Sequence, residues 1–84
     1  MLIDSLQPNL SYMKATLLEC LKEARSHYSL PISASYNTIM RRERAGVDVY
    51  TDTGRDPVNG WRIYTADQIR KIVEYEKKKA ELLK

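Results

Sequence analysis

The chain has no phenylalanine, one cysteine and one histidine. Cys20 alone cannot close an intramolecular disulfide, and with only His27 nearby it does not complete a tetrahedral zinc set. Apolar runs stop at two or three residues, and Met1-Leu2-Ile3 gives way at once to Asp4. That pattern holds neither a membrane span nor the apolar stretch of a secretory leader, so no membrane partner is expected. The expected compartment is the reducing cytoplasm, where a single buried cysteine behaves as a small hydrophobe. Glycine is scarce too, and Gly46, Gly54 and Gly60 crowd into fifteen residues, which marks one turn-rich region.

With 84 residues, of which 43% are apolar and 30% charged, the composition is that of one small folded domain. A chain this short cannot enclose a deep pocket, so binding by surface is the starting expectation. Charge is spread unevenly. Residues 1–34 carry three cations against three anions, residues 35–64 five against four, and residues 65–84 six against four. All five cations of the middle segment are arginines (Arg41, Arg42, Arg44, Arg55, Arg62), whose planar forks suit phosphate oxygens and guanine edges.

Leu10, Met13, Leu17, Leu21, Ala24 and Tyr28 recur at helical spacing, which predicts a first helix from Ser11, as N-cap, to Tyr28. Pro31 ends it. Ser33 or Ser35 caps a second helix, Tyr36 to Ala45, closed by Gly46. Val47-Asp48-Val49-Tyr50-Thr51 and Trp61-Arg62-Ile63-Tyr64 alternate at period two and read as two strands. Val47, Val49, Trp61 and Ile63 are expected inside, and Trp61 has two readings, a core ring bracing the strands against helix two or a ring packed on the sugar backbone of a nucleic acid. Asn59-Gly60 marks a turn. Thr65-Ala66-Asp67-Gln68 is a capping box that opens a helix carrying Ile69, Ile72, Val73, Ala80 and Leu83. Glu76 interrupts that apolar series, and the last two turns are expected to project beyond so small a core.

The run Thr38-Ile39-Met40-Arg41-Arg42-Glu43-Arg44-Ala45-Gly46-Val47, followed by Gly60-Trp61-Arg62-Ile63-Tyr64-Thr65 opening a helix, resembles the DNA-binding domain of the MerR and excisionase-like group. That pattern runs Thr-Ile-Arg-x-aromatic-Glu-x-x-Gly-Leu, then a wing, then Gly-Tyr-Arg-x-Tyr-Ser/Thr. Met40 stands where the family has arginine, and Arg42 where it has an aromatic residue. The resemblance covers residues 35–73 and implies a winged helix-turn-helix: mostly α, three helices plus a two-stranded wing over residues 47–64. The expected layout is an N-terminal arm, residues 1–10, and one domain, residues 11–84, with its C-terminal helix at 65–84.

The expected partner is double-stranded DNA, which places the protein at the nucleoid. In a recognition helix spanning 35–45, Tyr36, Asn37, Thr38 and Arg41 are candidates for base contacts, with Asn37 suited to an adenine edge. Arg42, Arg44, Arg55, Arg62 and Tyr64 are candidates for phosphate. Glu43 is expected to partner a neighbouring arginine within the helix. The output is that of a small transcriptional regulator or excisionase-like factor. Two alternatives stay open: a phage DNA-packaging domain like a terminase small subunit, and a protein-assembly module, for which six tyrosines suit an interface. Helix 65–84 is expected to support weak dimerisation or association templated by DNA. Catalysis is not expected, since nothing pairs a nucleophile with a base. No cofactor is expected, and Asp48, Asp52 and Asp56 do not match a calcium loop.

Overall fold

Residues 11–83 are described by a computed structural model, so the expected arm over residues 1–10, and Leu10 with it, lie outside the described residues. The order is β1 (Ser11–Tyr12), α1 (Lys14–Tyr28), α2 (Tyr36–Arg44), α3 (Asp48–Thr51), β2 (Gly54–Arg55), β3 (Arg62–Thr65) and α4 (Ala66–Leu83). The fold is mostly helical, with a small antiparallel sheet in the order β1-β3-β2. No described helix is long and apolar enough to cross a membrane.

Contrary to the expectation from sequence, Ser11 does not cap α1. Ser11 and Tyr12 are extended and pair with Thr65 and Tyr64 of β3. Met13 occupies the cap position, and its carbonyl accepts from the amides of Thr16 and Leu17. The strand wins because it satisfies backbone groups along one edge of β3, leaving the helix to begin two residues later. The predicted apolar face then holds: Leu17, Leu18, Cys20, Leu21 and Ala24 are buried. Ser29, in the left-handed region at φ 52°, ends α1 ahead of Pro31.

At the start of α2 the Ser35 hydroxyl accepts from the Thr38 amide. The helix ends in a Schellman arrangement. The Val47 amide donates to the Arg42 carbonyl and the Gly46 amide to the Glu43 carbonyl, with Gly46 at φ 74°.

The expected strand over residues 47–51 is instead the four-residue helix α3. Its single turn carries Tyr50 into the core, where the ring is fully buried and its hydroxyl donates to Glu76. Tertiary burial of a tyrosine with a satisfied hydroxyl overrides the strand propensity of two valines. The hairpin is therefore shorter than expected, with Gly54 opposite Ile63 and Arg55 opposite Arg62.

The capping box forms in full: the Thr65 amide donates to the Gln68 side chain, and the Gln68 amide to the Thr65 hydroxyl. Along α4, Ile69, Ile72, Val73 and Ala80 line the core and Glu76 is buried among them. Burial reaches Ala80, and beyond it Glu81, Leu82 and Leu83 are exposed, so among the described residues less than one turn projects instead of two.

Candidate nucleic-acid interface

Two carboxylates decide which arginines face solvent. Glu76, only 2% exposed, accepts from Nε and a terminal nitrogen of Arg42 at 3.0 and 3.3 Å and from the Tyr50 hydroxyl at 2.7 Å. The Glu76 hydrogen bond raises the Arg42 pKa further, against the lowering effect of burial. Burial, followed by the hydrogen bond to Glu76, pushes the Tyr50 hydroxyl well above its ordinary value. Arg42, expected at phosphate, is thereby tied to α4.

Glu43 does the corresponding work on the other side of α2. Instead of an intrahelical arginine, its partners are Arg62 at 2.7 Å, Lys14 at 2.9 Å and the Tyr64 hydroxyl at 3.5 Å. Arg62 also donates from one terminal nitrogen to the Thr53 hydroxyl and the Thr51 carbonyl, so Nε and that nitrogen are engaged inside the fold. Tyr64 is fully buried, and burial followed by the neighbouring Glu43 charge pushes its hydroxyl upward. Arg62 and Tyr64, expected at phosphate, are thereby both engaged with Glu43.

Thr38, expected at a base edge, is buried as well, its hydroxyl held between Ser33 and Ser35. At the third helical position it lies on the inner side of α2 beside Ile39. Tyr36, Asn37, Met40, Arg41 and Arg44 form the opposite, exposed face at steps of one, three and four. Asn37, Arg41 and Arg44 border one shallow groove of about 280 Å³. Among the described residues neither Arg41 nor Arg44 enters an ion pair.

The hairpin supplies the neighbouring surface. Arg55 is exposed and donates across the turn to the Gly60 carbonyl at 2.9 Å, which holds its stem against the tip. The tip is closed by backbone bonds between Asp56 and Trp61 and between Gly60 and Asp56. Asp56 and Asn59 side chains accept from the amides of Val58 and Trp61. Trp61 is 63% exposed, contrary to its expected core position. The inward residues of β3 are Arg62 and Tyr64, which reach Glu43, so the period of two turns Trp61 to the outside.

No protein family, curated protein or solved structure matches the chain. Sequence reasoning had located Asn37, Arg41, Arg44 and Arg55, and the structure leaves all four exposed, with Tyr36 beside them. It missed Lys14, whose helical spacing carries no sign of a partner in α2. Glu76 did carry a signal, as a carboxylate on an otherwise apolar stripe needs a buried partner.

Proposed function

We propose that this chain is a winged helix-turn-helix domain that binds double-stranded DNA, with α2 as the recognition helix and the β2-β3 hairpin as the wing. The observation that carries this is the α2 face, where Asn37, Arg41 and Arg44 share one groove while the other two charges of the helix are consumed internally. Such a division supports a helix with one structural and one ligand-facing side. A helix such as α2, about 10–12 Å across with its side chains, fits a major groove about 12 Å wide, and its nine residues run about 14 Å. Asn37 has the amide needed for an adenine edge and Arg41 the fork for guanine, while Arg44 and Arg55 meet phosphate. A small regulator or excisionase-like factor is the output this arrangement suits.

The test is binding of a fluorescently labelled duplex followed by anisotropy over a salt series. The two phosphate-facing arginines, Arg44 and Arg55, imply a log–log slope of about −2 per protomer. Arg44→Ala should make that slope shallower by about one and weaken all duplexes alike, whereas Arg41→Ala should cost about 1–3 kcal/mol mainly on the preferred sequence. Absence of salt-dependent binding by the wild-type protein overturns the proposal.

A second reading, a protein-assembly module, is favoured by one observation: Tyr36 and Trp61, large and exposed, line one hollow, and exposed Met40 follows Tyr36 by one helical turn.

A further inference from the structure

Between the N-terminal end of α2, the start of α1 and the hairpin lies an open hollow of about 460 Å³. Its walls include the side chains of Tyr36, Met13 and Trp61, which are apolar over most of their surface, and the cations Lys14, Arg55 and Arg62. Glu43 is the one carboxylate on the wall, and Lys14 and Arg62 already neutralise it at 2.9 and 2.7 Å. The hollow is thus net cationic, with Arg55 the wall cation that makes no ion pair among the described residues. Tyr36 stands both on this wall and on the exposed α2 face, so hollow and groove belong to one continuous surface.

We infer that the hollow seats the sugar–phosphate backbone of one DNA strand, with Trp61 lying against deoxyribose and Arg55 meeting the adjacent phosphate. The inference rests on the DNA-binding function proposed above and adds to it a residue that reads no base. A deoxyribose ring is apolar on its face and sits between two anionic phosphates. An aromatic side wall beside an uncommitted guanidinium matches that alternation. An indole left 63% exposed in the free protein gains burial when a strand covers it. Glu43 does not repel the strand, because its charge is cancelled from within the fold by two cations.

Trp61 is the sole tryptophan, so its emission reports on the hollow alone. The full chain is titrated with a mixed-sequence duplex of about 20 base pairs, long enough to fill one module's footprint, while anisotropy of the labelled duplex measures binding independently. The expected result is a change in Trp61 emission and protection from acrylamide that track the anisotropy curve. Trp61→Ala should weaken binding about fivefold with the salt slope unchanged, since no charge is lost, and Trp61→Phe should recover most of it. Arg55→Ala should instead make the slope shallower by about one.

If anisotropy shows binding while Trp61 emission and acrylamide access stay as in the free protein, the hollow is not the backbone seat and the DNA-binding proposal survives. If anisotropy shows no binding, both fall. If a glutamate–tyrosine copolymer changes Trp61 emission and the duplex does not, the hollow takes acidic protein segments and the inference is overturned.

Discussion

Arg42 and Glu43, adjacent on α2, are each neutralised by a different part of the fold: Arg42 by Glu76 of α4 at 3.0 Å, Glu43 by Arg62 of β3 at 2.7 Å. Neighbours on a helix diverge by about 100°, so two consecutive charges reach two separate elements and fasten α2 from both sides. The remaining face, with Arg41 and Arg44, is held in place without spending its own charges.

The first prediction concerns the two arginines that look alike in sequence. Arg42→Ala leaves the buried Glu76 charge without its cation and should cost about 3 kcal/mol of stability, a large share of the ~5 kcal/mol available to a small domain. Arg44→Ala, on the exposed face, should stay within about 0.5 kcal/mol of wild type. Urea unfolding followed by circular dichroism checks both. Equal midpoints for the two variants would contradict the assignment of Arg42 to the fold. Replacing the pair together, Arg42→Met with Glu76→Leu, should recover most of the loss, because no charge is then left buried.

Glu43→Gln keeps the side-chain shape and releases Lys14 and Arg62 from the carboxylate that neutralises them, raising the net charge of the hollow by one. Duplex binding should tighten, and its log–log salt slope should steepen by about one. Anisotropy titrations at several salt concentrations measure it, with circular dichroism confirming the fold. Weaker binding by a folded variant would show that Glu43 serves the DNA contact directly.

At Gly46 the chain adopts φ 74°, and a Cβ there would meet nothing within 4 Å. Gly46→Ala therefore pays only the backbone cost of a left-handed residue, about 1 kcal/mol. A chemically synthesised chain with D-alanine at 46 should reverse the sign and gain a few tenths to about 1 kcal/mol, because the D residue favours that conformation and restricts the unfolded chain. Thermal unfolding of the two variants decides it; destabilisation of equal size in both would point to a steric clash.

Alkaline pH should weaken the fold from its core. Burial, followed by the charges of Glu23 and Glu19, pushes the Cys20 thiol from 9.0 up to about 11. The folded state then holds the proton more tightly than the unfolded chain, so this stabilisation is complete below pH 9.0 and is lost as pH rises toward about 11. Tyr50 and Tyr64, shifted the same way, extend the loss to higher pH. Urea midpoints should fall across that window, and Cys20→Ala should fall less steeply. Iodoacetamide should modify Cys20 only after unfolding; rapid alkylation of the folded protein at neutral pH would refute its burial.

Much of the local structure could be read from the sequence because short-range chemistry determines it. The α1 stripe of Leu17, Leu21 and Ala24, the Ser35 cap, the Gly46 stop and the Thr65-Gln68 box each depend on residues within one or two turns, and each forms in the structure. The exposure of Asn37, Arg41, Arg44 and Arg55 was legible for the same reason: polar residues on one helix face and at a hairpin stay in water unless something specific draws them in.

What tertiary structure alone decided is which polar and aromatic residues were drawn in. Both parities of Trp61-Arg62-Ile63-Tyr64 carry an aromatic or aliphatic side chain, so alternation by itself does not say which side is inward. Glu43, presented by α2 beneath β3, selects Arg62 and Tyr64 and so leaves Trp61 outside. Likewise Tyr50 enters the core through a helical turn because Glu76 and Arg42 wait there, 26 and 8 residues away in the chain. A buried carboxylate must find donors, and those donors come from elements that no local window connects.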